Sequence, residues 1–226
     1  MDEKEKIAAL SKLSTASVAD VLNGKGVFSS SIKPIVPGKK VVGKAYTATT
    51  PAGDMLTCYW ALNKSLEGYV LIIDGGGYTE SAIWGSLMTQ EAKEKKLAGV
   101  IIDGSIRDSD GVRDAGFPVF AITTTPRDGS IRAIGELEVP VTCGGATVHP
   151  GDYIIGDDDG VVVIPERLLE KVINGAKDAE EMEKSIQKEL KKGKSLYDLF
   201  SLDRMVLKKE REDVTLLNEL YRDMGL

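Results

Sequence analysis

The fold is decided by residues 68–121, whose sequence is GYVLIIDGGGYTESAIWGSLMTQEAKEKKLAGVIIDGSIRDSDGVRDAGFPVFA. This stretch contains the phrase Ile-Ile-Asp-Gly twice, at 72–75 and at 101–104. Each copy is a short apolar run stopped by Asp-Gly, which predicts a buried strand that ends in a turn. The polar run between the copies has helical length and is punctuated by Ala82, Leu87, Ala92 and Leu97. The pattern therefore predicts one strand–helix–strand unit with parallel, neighbouring strands.

The two strands of such a unit end at the same edge of the sheet, which is where ligands usually bind. We expect the glycine-rich turn Gly75–Gly77 and the segment Ser105–Asp108 to emerge there. Pro118–Ala121 predicts a third short strand, and Gly116 marks the end of a helix that begins near Ser109.

The remaining segments predict elements that flank this unit. Residues 3–23 have helical spacing with a break at Ser14 or Thr15, residues 41–49 favour a strand, and residues 54–66 favour a helix. Residues 134–164 hold short apolar runs separated by turn residues, which is typical of antiparallel hairpins. The pattern becomes helical from Pro165 onward, so we expect a main domain over 1–165 and a helical extension over 166–226.

Composition limits the functions that the protein can have. The chain has 226 residues and a formal net charge of −6, so it lacks the basic excess that nucleic acid binding requires. Its two cysteines, Cys58 and Cys143, are too few for a disulfide framework and fit a reducing cytoplasm. No signal peptide or run of membrane-spanning length is apparent.

Several familiar kinds of active site are disfavoured. His149 is the single histidine and sits in a His-Pro-Gly-Asp turn, which argues against a serine or cysteine relay and against a zinc site. Gly75–Gly77 resembles a phosphate-binding loop, but neither dinucleotide-binding nor P-loop spacing is present.

Arg107 and Asp108 are the strongest candidates for chemistry. On a turn, a guanidinium can hold a carboxylate or an enolate oxygen, and the adjacent carboxylate can bind a hard divalent ion. The alternative is a surface ion pair, or a helix N-terminus capped by Asp108 or Asp110. A second candidate is the turn Gly85–Met88, where a helix start could bind an anion through backbone N–H groups. Alternatively, Gly85 only lets the helix pack closely against the sheet.

These residues resemble a known family. Arg107-Asp108, with the Gly-Ser-Leu-Met turn before it, is similar to the signature of the 4-hydroxy-4-methyl-2-oxoglutarate aldolases and of their non-catalytic relatives, the RraA regulators of ribonuclease E. The resemblance covers roughly residues 10 to 190. It extends through LSTASVAD (13–20), VLIIDGG (70–76), GVIIDG (99–104), GFPVFA (116–121), HPGD (149–152) and DGVVVIP (159–165).

The resemblance implies an α/β fold, a swivelling β/β/α-type domain that assembles into trimers or hexamers. It also implies a class II pyruvate aldolase that cleaves a 4-hydroxy-2-oxo acid, with oxaloacetate decarboxylation as a side activity. Asp108 would bind Mg²⁺ or Mn²⁺, Arg107 would stabilise the pyruvate enolate, and Gly85, Ser86, Leu87 and Met88 would hold the substrate.

Two positions need separate comparison with the family. Aldolases of this group carry an aspartate directly after the turn glycine, where this chain has Ser86, and a serine cannot accept a proton at neutral pH. The family also uses a glutamate from a neighbouring subunit's C-terminal helix. Glu183, inside an apolar stripe of residues 166–192, is the first candidate for it, and Glu180 is the second. Alternatively, Met182 is the core residue and Glu183 only flanks the stripe.

Two functions are compatible with these residues. One is a metal-dependent lyase, and the other is a regulator that binds and inhibits a ribonuclease. Asp108 favours the lyase, because the regulators tend to lack that carboxylate. The apolar residues of 195–226 predict a segment that docks on a neighbouring subunit. These residues are Leu196, Leu199, Phe200, Leu202, Val206, Val214, Leu216, Leu217, Leu220 and Tyr221.

Overall fold

The structure is a computed structural model that describes residues 1–203 and 206–209. The chain divides into two compact units, Met1–Lys177 and Asp178–Leu226. The helices are α1 (Glu3–Leu10), α2 (Thr15–Val21), α3 (Leu56–Lys64), α4 (Ser86–Glu94), α5 (Ser109–Ala115), α6 (Leu169–Lys191) and α7 (Leu196–Leu199), with a 3₁₀ turn at Glu166–Leu168. No helix among the described residues is long and apolar enough to cross a membrane.

The strands form one mixed sheet and one separate hairpin. They are β1 (Lys33–Pro34), β2 (Val41–Thr49), β3 (Tyr69–Trp84), β4 (Gly99–Ile106), β5 (Val119–Thr124), β6 (Val141–Cys143), β7 (Ala146–Val148), β8 (Tyr153–Asp157) and β9 (Gly160–Ile164). The order in the main sheet is β1-β5-β4-β3-β2-β8-β9, and β6 pairs with β7. Strands β2 to β5 run parallel, whereas β1, β8 and β9 pair antiparallel to their neighbours. The expected fold class, with its central parallel unit, hairpins and C-terminal helices, is confirmed.

The strands β3 and β4 are longer than the sequence predicts. They were expected to end at the two Asp-Gly pairs, but β3 continues to Trp84 and β4 to Ile106. Asp74 lies opposite Asp103, and the register then shifts so that Tyr78 pairs with Gly104. The extra residues form a bulge, in which Gly76 and Gly77 adopt φ values of 67° and 70° that glycine accepts readily. The glycine-rich segment is therefore a bulge inside the strand, and the expectation of a turn there is wrong.

The helix of the central unit is correspondingly shorter. It begins at Ser86, so Ala82 belongs to β3 and not to the helix that the apolar spacing predicts. Ala82, Ile83 and Trp84 are consecutive and all buried. A strand that is covered on both faces has a continuous apolar run, which periodicity alone cannot distinguish from a buried helix.

The core lies on both faces of the sheet. On one face, Leu71, Ile73 and Ile102 pack with residues of α3, α4 and α5. On the other face, Ile72 and Ile101 pack with the β6–β7 hairpin and β9. A third cluster joins α1, α2 and the beginning of α6 to β8 and β9. Both faces are thus covered, and in such sheets ligands usually bind at the carboxyl edge of the parallel strands.

Two predicted helix boundaries agree with the structure. The side chain of Ser14 accepts a hydrogen bond from the Ser17 N–H and caps α2, so the break expected there is confirmed. Gly116 ends α5 in the left-handed region, with φ 62°.

Candidate active site

The Arg107-Asp108 pair lies where the chain leaves β4. The Arg107 N–H donates to the Trp84 carbonyl at 3.0 Å, which extends the pairing between β3 and β4 by one step. Asp108 then adopts φ 56° and ψ 43°, and α5 begins at the next residue. This left-handed conformation costs a non-glycine residue about 1–2 kcal/mol, although aspartate tolerates it better than most.

Asp108 occupies the N-cap position of α5 without capping it. Its side chain makes no capping hydrogen bond, although its carbonyl accepts from the Val112 N–H at 3.0 Å. The side chain of Asp110 pairs with Arg113 at 2.6 Å on the same helix. The interpretation of Asp108 as a capping side chain is therefore wrong, and its carboxylate is available to other partners.

The start of α4 lies beside this pair. The residue before the helix, Gly85, supplies no side-chain cap, so the first-turn N–H groups have no side-chain acceptor from that position. A Cβ at Gly85 would lie 3.4 Å from both Arg107 Cγ and Asp108 Oδ2. These are ordinary van der Waals distances, so the turn lies directly beside Arg107 and Asp108 but does not require glycine for this approach. Both interpretations of Gly85, as an anion-binding turn and as a packing residue, are compatible with this geometry.

Buried hydrogen bonds fix this turn in place. The Thr89 hydroxyl donates to the Gly85 carbonyl at 2.9 Å, and the Trp84 indole N–H donates to the Thr89 hydroxyl at 2.9 Å. Trp84 and Thr89 are both buried. The end of β3 and the first turn of α4 are thereby held rigidly against each other.

The six candidate residues at the start of α4 and at the end of β4 line a single cavity of about 120 Å³. They are Gly85, Ser86, Leu87, Met88, Arg107 and Asp108. The Ser86 hydroxyl lies 3.4 Å from Asp108 Oδ2. A wider depression of about 680 Å³ shares Ser86, Arg107 and Asp108 and is otherwise lined by α5 and by residues 124–126. The cavity is small compared with the roughly 300–1,000 Å³ of typical ligand pockets, so it suits a small molecule.

Asp128 is a site residue that the sequence-based prediction missed. Arg107 Nη1 lies 2.7 Å from Asp128 Oδ2, whereas Arg107 Nε lies 3.6 Å from Asp108 Oδ2. The closer ion pair of Arg107 is thus with Asp128, which orients the guanidinium. A signal was present, because Pro126-Arg127-Asp128-Gly129 follows β5, a parallel neighbour of β4, and so starts from the same edge.

The loop that carries Asp128 is anchored by a second missed residue, Asp54. The Asp54 carboxylate is buried and accepts hydrogen bonds from the Ser130 hydroxyl and from the backbone N–H groups of Arg132 and Ala133. It also accepts from the Leu56 N–H at 2.9 Å, at the start of α3. Burial opposes ionisation of Asp54, but these hydrogen bonds outweigh it and lower its pKa. The sequence pattern placed Asp54 only at the beginning of a helix.

Gly129 completes the anchoring of this loop. A Cβ there would lie 2.5 Å from the Ala82 carbonyl oxygen and 2.8 Å from that of Gly53. Only glycine allows the loop to pack this closely against the end of β3.

Glu183 lies on α6 in the second unit and is exposed. Its Oε1 accepts from the Gln187 side chain at 3.4 Å. Met182 is 63% exposed, so the alternative in which Met182 is a core residue is wrong for the described chain. In the first unit, Val172 and Ala176 of the same helix are buried.

Part of the apolar C-terminal segment can be described. Leu196 and Phe200 are exposed and Leu199 is half-buried. Val214, Leu216, Leu217, Leu220 and Tyr221 lie outside the described residues.

The donors fit one kind of metal site. Among the described residues, no cluster of three or more His, Cys, Asp or Glu side chains could hold a metal ion by itself. Asp108 offers a single carboxylate that makes no capping hydrogen bond to α5. This carboxylate lies beside the Ser86 hydroxyl and lines the open cavity. Mg²⁺ is commonly held in this way, by one or two carboxylates together with waters and substrate oxygens. The residues therefore fit a hard divalent ion that shares its ligands with the substrate, and not an all-protein cage.

The fold and the cavity together define an α/β domain with a small cavity at the carboxyl edge of the parallel strands of a mixed sheet. The chain belongs to the RraA-like family, described as Aldolase/RraA, whose model matches residues 15–163.

Among similar proteins, one is named as an aldolase and another as an RNA-processing inhibitor. A protein of Halalkalibacterium halodurans, provisionally named 4-hydroxy-4-methyl-2-oxoglutarate aldolase, is 37% identical over 77% of this chain and 83% of its own. An uncharacterised protein of Pseudomonas syringae is similar in structure, with a TM-score of 0.76 and 28% identity over 86% of this chain and 96% of its own. The RNA-processing inhibitor RraA of Thermus thermophilis is similar with a TM-score of 0.63 and 27% identity, over 68% of this chain and 93% of its own.

Proposed function

We propose that the protein is a divalent-metal-dependent lyase that cleaves a 4-hydroxy-2-oxo acid to pyruvate and a carbonyl compound. One observation carries this proposal: one small cavity is lined by the Asp108 carboxylate, the Arg107 guanidinium and the first turn of α4. The Asp108 carboxylate makes no capping hydrogen bond to α5. The aldolase name of the Halalkalibacterium relative supports the same reaction class.

Each group has a distinct part in the proposed reaction. Asp108 would hold Mg²⁺ or Mn²⁺, which when bound supplies a Lewis acid that polarises the 2-oxo group of the substrate. The first-turn N–H groups of α4 would bind the substrate carboxylate, since a helix start favours an anion. Arg107, oriented by Asp128, would donate to the oxygen on which negative charge develops.

Cleavage moves the electrons of the C3–C4 bond onto C3, which gives the enolate of pyruvate. The C4 hydroxyl passes its proton to a water as C4 becomes a carbonyl, and the enolate later takes up a proton from water at C3. Ser86 can orient that hydroxyl or a water, but it cannot accept the proton at neutral pH. Glu183 of a neighbouring subunit is our candidate for holding a water at the metal, and Glu180 is the second choice.

Decarboxylation of oxaloacetate passes through the same enolate and requires no base at a C4 hydroxyl. We therefore propose it as a side activity that depends on Asp108 and Arg107 and only weakly on Ser86.

The experiment that tests this function measures pyruvate release. Purified protein would be assayed with a panel of 4-hydroxy-2-oxo acids and with oxaloacetate, in the presence of Mg²⁺, Mn²⁺ or EDTA. We expect release that requires the metal. Pyruvate release no faster than in the same mixtures without protein, for every substrate and metal, would refute the lyase.

The second candidate function is a regulator that binds and inhibits a ribonuclease, favoured by the structural similarity to the Thermus RraA. The measurement is the rate of cleavage of an RNA substrate by a ribonuclease of the E type, with increasing amounts of this protein. Inhibition at a stoichiometric ratio, without metal-dependent pyruvate release, would establish the regulator in place of the lyase.

We further propose a cytoplasmic homo-oligomer, a trimer or hexamer, that has no membrane or nucleic acid partner. Cys58 and Cys143 are buried free thiols, as expected for a protein kept in a reducing compartment. Residues 166–226 would form the extension that docks on a neighbouring subunit. Truncation after Lys194 should then lower the mass measured by light scattering, and an unchanged mass would refute the docking.

A further inference from the structure

The cavity at Arg107 is poor in positive charge. Arg107 is the sole cationic side chain among the described residues that line either this cavity or the adjoining depression. Its guanidinium already contacts the carboxylates of Asp108 and Asp128. The depression adds a further carboxylate, Asp110, which pairs with Arg113 at 2.6 Å, and no lysine or further arginine of the described residues lines it.

Part of the cavity lining is apolar, and we call this part the apolar wall. It consists of Met55, Tyr59, Met88 and Ile131, with the Trp84 indole N–H turned to Thr89. The Tyr59 hydroxyl can form a hydrogen bond, but none of these side chains can neutralise an anion. Met55 and Met88 are buried, so this wall offers an apolar surface of fixed position at its base.

In the proposed reaction the α4 start holds the substrate carboxylate, Arg107 contacts the oxygen that becomes negative, and the charge of the metal is shared between Asp108 and that oxygen, so every positive group of the cavity is already used. A second carboxylate on C4 would share the cavity with Asp128 and the apolar wall, with no unused positive group to pair with it. Burying an unpaired charge is strongly unfavourable, whereas an alkyl group on the same atom would bury apolar surface.

We infer that the substrate is a 4-hydroxy-2-oxo monoacid with a short uncharged alkyl substituent at C4, so that the second product is a simple aldehyde or ketone. This inference rests on the proposed lyase function and specifies its substrate class. It makes the apolar wall, and Ile131 on its rim, the determinant of specificity. Oxaloacetate does not test this substrate preference, because its second carboxylate leaves C3 as carbon dioxide in the reaction.

Binding can be tested apart from catalysis with two ligands that lack the 4-hydroxyl and cannot be cleaved. 2-Oxopentanoate and 2-oxoglutarate have the same carbon chain and differ at its far end, which is a methyl group in one and a carboxylate in the other. Calorimetric titration of the wild-type protein with Mg²⁺ present should give a Kd lower for 2-oxopentanoate by about tenfold or more, the scale of leaving a charged group unpaired. Equal affinity, or tighter binding of 2-oxoglutarate, would overturn the inference.

A variant tests whether the missing charge is the cause. Ile131 is 57% exposed and lines the cavity, so Ile131→Arg places a cation at its rim without disturbing the core. Affinity for 2-oxoglutarate should rise by roughly threefold to fivefold, the scale of a partly exposed ion pair, while that for 2-oxopentanoate falls or stays. Ile134→Arg is the matched control, because Ile134 is 60% exposed on the same loop but does not line the cavity. An equal gain in both variants would refute the role of the wall.

The cleavage assay completes the test. Pyruvate release should be faster from 4-hydroxy-2-oxopentanoate or 4-hydroxy-2-oxohexanoate than from 4-hydroxy-2-oxoglutarate. Faster cleavage of the diacid overturns the inference and leaves the lyase standing. Cleavage of none of them overturns the proposed function and the inference with it, even if the two binding ligands differ in affinity.

Discussion

Asp128 offers the sharpest test of how Arg107 is positioned. Asp128→Asn removes the charge that lies 2.7 Å from Arg107 Nη1 and keeps the size of the side chain. The two side chains are 39% and 55% exposed, so solvent screens the pair, and its coupling energy should be about 0.2–1 kcal/mol. If that energy holds the guanidinium in its working orientation, its loss lowers kcat/KM by up to about fivefold.

The assay measures metal-dependent pyruvate release by the wild-type protein, by Asp128→Asn, by Arg107→Lys and by the double variant. Arg107→Lys should lose most of the activity, because a point charge cannot replace the planar fork of a guanidinium. Asp128→Asn should lower kcat/KM in the wild-type background and have little further effect in the Arg107→Lys background, because its role acts through Arg107. The thermal unfolding midpoint of Asp128→Asn should stay within a few degrees of the wild-type value.

Two results would refute this reasoning. An unchanged kcat/KM for Asp128→Asn would show that Arg107 needs no such partner. The same loss in both backgrounds would show that Asp128 acts independently of Arg107.

Three further predictions follow from the site and the sheet. Ser86→Asp should raise aldol cleavage more than oxaloacetate decarboxylation, by at most the roughly 10²–10⁴-fold of a positioned general base, and equal changes in both reactions would contradict a role in proton transfer. Asp54→Asn should destabilise the fold by roughly 1–3 kcal/mol in denaturant titration, since it removes an acceptor of several hydrogen bonds, and unchanged stability would show that the loop does not depend on it. Burial, together with the charge of Asp74, raises the pKa of Asp103, although the Gly144 N–H opposes this, so its charged form disfavours folding. Asp103→Asn should therefore raise stability at pH 7, and the gain should shrink as the pH falls through the raised pKa of Asp103 and vanish below the ordinary pKa of aspartate. A pH-independent difference for Asp103→Asn would contradict that assignment.

The central unit could be predicted from the sequence because it is a local pattern. Two apolar runs with a helix between them lead to parallel neighbours whatever surrounds them. The ends of those strands could not be predicted, because Asp74-Gly75 permits either a turn or a bulge. Pairing of Tyr78 and Trp84 with β4 decides for the bulge, and that pairing is not local.

The part of the candidate site that depends on the same local pattern could also be predicted from the sequence. Arg107 and Asp108, and the turn at Gly85, follow neighbouring strands and so meet at one edge. Asp128 and Asp54 were not found, because their roles depend on a loop that folds back onto the end of β3. The contacts that fix this loop join Asp54 to residues 130–133, which are far from it in the sequence.

The most direct test of the central claim compares two aspartates of the same region. Asp108→Asn removes the carboxylate that we assign to the metal, and Asp114→Asn removes an exposed carboxylate from α5 that does not line the cavity. Pyruvate release with saturating Mg²⁺ or Mn²⁺ should be abolished in Asp108→Asn and unchanged in Asp114→Asn, with the same oligomer mass in both. Metal-dependent release at the wild-type rate in Asp108→Asn would contradict the account.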